Sequence, residues 1–147
     1  MMTHDRYLAE DAVLAHYMPR TSYRFENINS SRPALKITVV TRNRATYALY
    51  FDLSEFPNHK PKVYVMKMLH DKWGHPMNDV SASNHTLSSW NGWTQLCHYS
   101  DAHWRPNVTL MHVYIKCVAW LEIYQTHLRT GLNIDAILSH QHSHVAG

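Results

Sequence analysis

Cys97 has more chemistry to offer than any other side chain in this sequence. It follows Leu96, precedes His98, Tyr99 and Asp101, and lies shortly before His103 and the run Trp104-Arg105-Pro106. A thiol in such a setting is a candidate nucleophile. Thiolate both attacks and leaves well, so cysteine suits the relay of an acyl group better than serine does. A free thiol, with pKa ~8.5, is mostly protonated at neutral pH, and a charged His98 or His103 close by would favour the thiolate. Acyl transfer from such a thiol goes through an oxyanion. A fixed amide or imidazole donor stabilises that charge, and losing one typically costs ~10²–10³ in rate. Asn78, Asn84, His85 and Asn91 lie upstream in the same stretch and can supply such a donor.

The same residues admit other readings. Cys97 can be a packed structural thiol in a non-catalytic binding module, since free cysteine is often simply buried. His70, His75, His85, Cys97, His98 and His103 can be metal ligands, although their spacing fits no zinc ribbon or finger. A cysteine protease needs a histidine base and an orienting Asn or Asp, and both residue types are plentiful, but the surrounding pattern does not match a papain-like layout. Cys117 lies in an apolar stretch and reads as a small core residue. Trp104 reads as a wall beside Cys97. His75-Pro76 reads as a turn, and Trp90 and Trp93 as side chains packing a loop onto a sheet.

Length and composition set the frame. The 147 residues make one domain, 1–147, large enough to bury a core. A hydrophobic fraction of 45% and 12% aromatic residues argue against disorder. Only four glycines argue against a Rossmann-type or loop-dominated fold. The charge of +3 is mild and the Lys and Arg residues are scattered, which gives no nucleic-acid footprint. No apolar run reaches the length of a membrane span, and the first residues lack the pattern of a signal peptide. Two cysteines make no disulfide framework, so the expected compartment is the cytoplasm.

The elements that must position Cys97 follow from periodicity and punctuation. Asp5 to Tyr17 predicts a helix, capped by Thr3 or Asp5 and stopped at Pro19. Tyr23–Ile28, Leu35–Val40, Tyr47–Leu53 and Val63–Met66 predict four strands with short links, hence an antiparallel meander. Phe56-Pro57 and Lys60-Pro61 interrupt the run between the third and fourth. Residues 67–107 read as long and irregular, with enough tryptophan to be packed down, which is where an active site is expected. Val108 to Arg129 predicts a long helix, capped by Asn107, ended by Gly131 and buried on more than one side. Ile134 to Ser139 predicts a last short helix, and the histidine-rich tail 140–147 reads as frayed. The fold class is α+β, with the sheet packed on the late helix.

This order, with certain motifs in it, resembles the ubiquitin-conjugating enzyme family over about residues 5–131. Phe56-Pro57-Asn58-His59-Lys60-Pro61-Lys62-Val63 is similar to the family's Tyr-Pro-x-x-x-Pro-x-Val turn. Leu96-Cys97 is similar to its catalytic cysteine after an aliphatic residue. Trp104-Arg105-Pro106-Asn107-Val108-Thr109-Leu110 is similar to the run leading into the helix after the active site. The family's His-Pro-Asn before the cysteine has no direct counterpart: His75-Pro76-Met77-Asn78 lies far upstream and carries an extra residue. The pattern is closer to bacterial relatives, with His85 near the place of the family asparagine and Thr130-Gly131 after the long helix.

The resemblance implies a thioester carrier. An ATP-dependent activating enzyme would load a ubiquitin-like protein onto Cys97, which would pass it to an amine of a target protein, with no cofactor and no resident metal. It implies His85 as the first candidate oxyanion donor, ahead of Asn84, Asn91 and Asn78. It also implies that the first helix, including Arg6, docks the activating enzyme. Several bacterial relatives serve antiviral pathways.

Overall fold

Thr3 accepts the Arg6 N–H at 3.1 Å and so caps the first helix, α1 (His4–Tyr17), in a computed structural model that describes residues 2–138. The helix ends at Met18, before a proline that cannot continue it. Ser139 and the histidine-rich tail lie outside the described residues. Strands β1 (Tyr23–Glu26), β2 (Ala34–Val40), β3 (Thr46–Asp52) and β4 (Lys62–Val65) then run as an antiparallel meander. Alternation decides which face is covered. Leu35 stands opposite Phe51 and Ile37 opposite Leu49, and all four are fully buried. Each such side chain contributes ~1.5–3 kcal/mol by leaving water.

The stretch 67–107 corrects the sequence reading. It is not irregular throughout, because Thr86–Trp90 and Trp93–Leu96 form a hairpin, β5 and β6. Asn91 and Gly92 turn it, with φ of 57° and 75°. These residue types enter left-handed backbone at low cost, and such turns match the twist of the strands they join. β6 pairs with β4, so the sheet has six strands in the order β1-β2-β3-β4-β6-β5 rather than four. Trp90 and Trp93 therefore belong to strands. They cluster with Tyr50 and Tyr64 on the face turned away from the core.

The second helix, α2 (Leu110–Thr130), starts two residues later than Val108. Its cap is Thr109, whose hydroxyl accepts the His112 N–H at 3.1 Å, and Asn107 falls in the turn before it. Gly131, at φ 77°, ends it by donating its N–H to His127 O. Leu110, Val113, Cys117, Trp120, Leu121 and Tyr124 are buried, while only the stripe His112, Ile115 and Ala119 is exposed along its middle. Residues 134–138 are helical, as expected.

A partly buried charge pair ties the two long helices. Arg6 Nε bonds Glu10 Oε2 at 3.0 Å, and Glu10 Oε1 accepts the otherwise orphaned Leu110 N–H at 2.6 Å. Arg6 also donates to Pro106 O and Val108 O at 2.7 and 2.9 Å, and its guanidinium lies 4.8 Å over the Phe56 ring. An N-terminal helix, an antiparallel sheet and a long C-terminal helix in this arrangement make a topology broadly like that of the ubiquitin-conjugating fold. No helix among the described residues is long and apolar enough to cross a membrane.

Candidate active site

Cys97 is the first residue beyond β6, so the last strand of the hairpin aims it. Leu96 pairs with Thr86, which sets His85 opposite Cys97, and the Cys97 N–H donates to His85 O at 3.0 Å. Both residues line a cleft of about 670 Å³ with Tyr99, Lys116, Trp120 and Leu138 among its other walls. The half-buried Cys97 contrasts with Cys117, which is fully enclosed in the core and whose thiol burial pushes far up. A thiol held protonated in an apolar core is chemically inert.

His85 is fixed from two sides. Trp120 Nε1 donates to Asn84 O at 3.1 Å, which ties the segment to α2. His85 Nε2 bonds Asp135 Oδ1 at 2.6 Å, and the Asp135 N–H donates to Ser83 O at 2.9 Å. His85 itself takes a positive φ of 53° just before β5. A carboxylate only accepts, so Nε2 carries the hydrogen and Nδ1 of the neutral ring is left as a lone pair.

The loop from Phe56 to Pro61 braces the segment after Cys97. Trp104 Nε1 donates to Pro57 O at 2.9 Å, Lys60 Nζ to Tyr99 O at 2.5 Å, and His98 Nε2 to Pro61 O at 2.7 Å. The motif carrying the family resemblance is thus a set of acceptors and one cation under the chain beyond the thiol. Burial is the main cause that pushes the His98 imidazole down to about 4, with Lys60 and Lys116 adding to it. His98 is therefore neutral at physiological pH and is not the cation that favours a Cys97 thiolate. Its Nδ1 is buried with no hydrogen-bond partner among the described residues.

The other candidates fall in different places. His103 bonds Ser100 Oγ at the cleft rim. Trp104 packs edge-on against Phe56 and Tyr99 with its N–H committed to Pro57, so it supports the loop rather than donating to a substrate. Asn78 spends its amide on Gly92 O and its carbonyl on the Thr94 hydroxyl, pinning the hairpin. Asn91 occupies the hairpin turn, at the end of β6 remote from Cys97, roughly 15 Å away at ~3.3 Å per residue. Arg6 contacts its own chain, as described above. His75 bonds Asp71 on the exposed turn. Among the described residues no group of three or more His, Cys, Asp or Glu could hold a metal ion, so they offer no ligand set for the metal reading.

Asp135 and Lys116 were not singled out by sequence reasoning. Lys116, lying 4.2 Å over the Tyr99 ring, is the one Lys or Arg among the described residues lining this cleft. An Asn-Gly hairpin read from the sequence would have set His85 against Cys97, but no local signal pointed to Asp135. No family model, curated protein or solved structure matches this chain.

Proposed function

We propose that this protein is a conjugating enzyme that carries a ubiquitin-like protein as a thioester on Cys97 and passes it to a target amine. The observation that supports this reading most is the setting of Cys97: half-buried at the end of a core strand, beside His85, in an open cleft. The other thiol is sealed in the core. Thioester exchange brings the acyl group in from an activating enzyme that has spent ATP; aminolysis passes it on. Loading forms the Cys97 C–S bond as the activating enzyme's breaks, aminolysis breaks it again, and the Lys116 ammonium in the same cleft can stabilise a developing oxyanion. The sequence resemblance supports a pathway of the bacterial, antiviral kind, working in the cytoplasm, with a ubiquitin-like protein, its activating enzyme and a target protein as partners.

The test is loading. With activating enzyme, ATP and the ubiquitin-like protein, the chain should gain an adduct on a gel that reductant removes. Cys97→Ala should form none, and Cys97→Ser should trap an ester that survives reductant. Normal loading of Cys97→Ala would overturn the reading. A thiol hydrolase is the second reading, favoured by Cys97 and His85 in one cleft with Asp135 bonded to His85 behind it. It would release its acyl group to water with no amine present.

A further inference from the structure

The His85–Asp135 pair gives the cleft a directional proton acceptor that the resemblance does not supply. Resting on the thioester reading of Cys97, we propose that His85 is the general base of amine transfer and that Asp135 is its positioning residue. The oxyanion role expected of His85 needs a hydrogen on the nitrogen that is not bonded to Asp135. Asp135 Oδ1, at 2.6 Å from Nε2, draws the hydrogen of the neutral ring to the other nitrogen instead. His85 shares the cleft with Cys97, and its Nδ1 is left to accept a proton from an arriving amine.

The step balances without a co-reactant. The amine nitrogen attacks the thioester carbonyl carbon, the C–N bond forms, and the proton it sheds passes to His85 Nδ1. The C–S bond breaks, the electron pair leaves on Cys97 as thiolate, and the imidazolium returns its proton to thiolate or solvent. A positioned base contributes typically ~10²–10⁴-fold to such a step. Geometry supports the assignment from three elements: the residue after β6 carries the thiol, the residue before β5 carries the imidazole, and the helical segment 134–138 carries the carboxylate. The Asp135 N–H bond to Ser83 O fixes that segment against the loop that holds His85.

The experiment loads the full chain by thioester exchange from a synthetic peptide thioester ending in Gly-Gly, then follows discharge by intact mass. Lysine and hydroxylamine are the two acceptors. Hydroxylamine is already deprotonated at neutral pH and has little need of a base. All rates are taken per loaded molecule. Asp135→Asn should lower the ratio of the lysine rate to the hydroxylamine rate about tenfold, His85→Gln should lower it ~10²-fold, and Asp135→Glu should restore part of it. In the free protein, long-range ¹H–¹⁵N spectra should show His85 with hydrogen on Nε2, and Asp135→Asn should bring in the Nδ1–H form. An unchanged ratio in Asp135→Asn, or an unchanged tautomer, overturns the proposal while leaving the thioester reading intact. A wild-type chain that takes no acyl group overturns both.

Discussion

His98 and His85 flank the same thiol and are held in opposite ways. His98 is largely enclosed, donates to Pro61 O, and has its pKa pushed down to about 4 from the usual 6.5. In the unfolded chain it titrates near its ordinary value. Between these limits the unfolded state binds a proton that the native state refuses, so stability is full above ~6.5 and falls as pH drops toward 4, by about 3 kcal/mol for this group. His98→Gln keeps an N–H for Pro61 and cannot titrate. Urea unfolding of the two proteins across that window should show a decline in the wild type that largely disappears in the variant; equal declines would mean that another group carries it. His85, by contrast, is a third exposed and leans on a carboxylate. Sequence made Cys97 and His85 legible as neighbours in chemistry, through residue type and resemblance. It did not make Asp135 legible, because its approach to His85 depends on how the segment after α2 folds back, and no local pattern encodes that.

The elements show where pattern reading succeeds. α1, the first four strands, the Gly131 stop and the burial of Cys117 follow from capping, alternation and apolar spacing, all local signals. The hairpin β5–β6 was also locally written, in Asn91-Gly92 between Trp90 and Trp93, but the polar run from Ser81 to Ser89 masked its first strand as loop. Trp104 takes part in loop packing, and Asn78 and Asn91 belong to the construction of the hairpin. The tie between helices was illegible for another reason: nothing in the local pattern around Glu10 marks it as buried, yet it is 2% exposed, bonds Arg6 and caps α2. Glu10→Ala would leave Arg6 without its carboxylate and Leu110 N–H unpaired, at a cost of about 2–3 kcal/mol after discounting for the partial exposure of Arg6. Urea titration should show the midpoint shift with an unchanged slope. A loss below ~0.5 kcal/mol would show the pair to be ornamental, as most surface pairs are.

At the scale of the molecule, one sheet and two helices enclose a core on one side of the strands and present the thiol at the end of a central one. β6 lies between β4 and β5, so Cys97 projects from a strand paired on both sides, while the Phe56–Pro61 loop and α2 fix what surrounds it. Such a scaffold holds a nucleophile rigidly and leaves the cleft open to large partners. The central claim is that Cys97 carries an acyl group through a thioester. It is tested most directly by incubating the full chain with a Gly-Gly-ending peptide thioester and measuring intact mass, followed by peptide mapping. The account predicts one acyl mass added per chain, mapped to Cys97 and never to Cys117, and removed by reductant. An acyl group on Cys117, one that survives reductant, or none on a folded chain would contradict it.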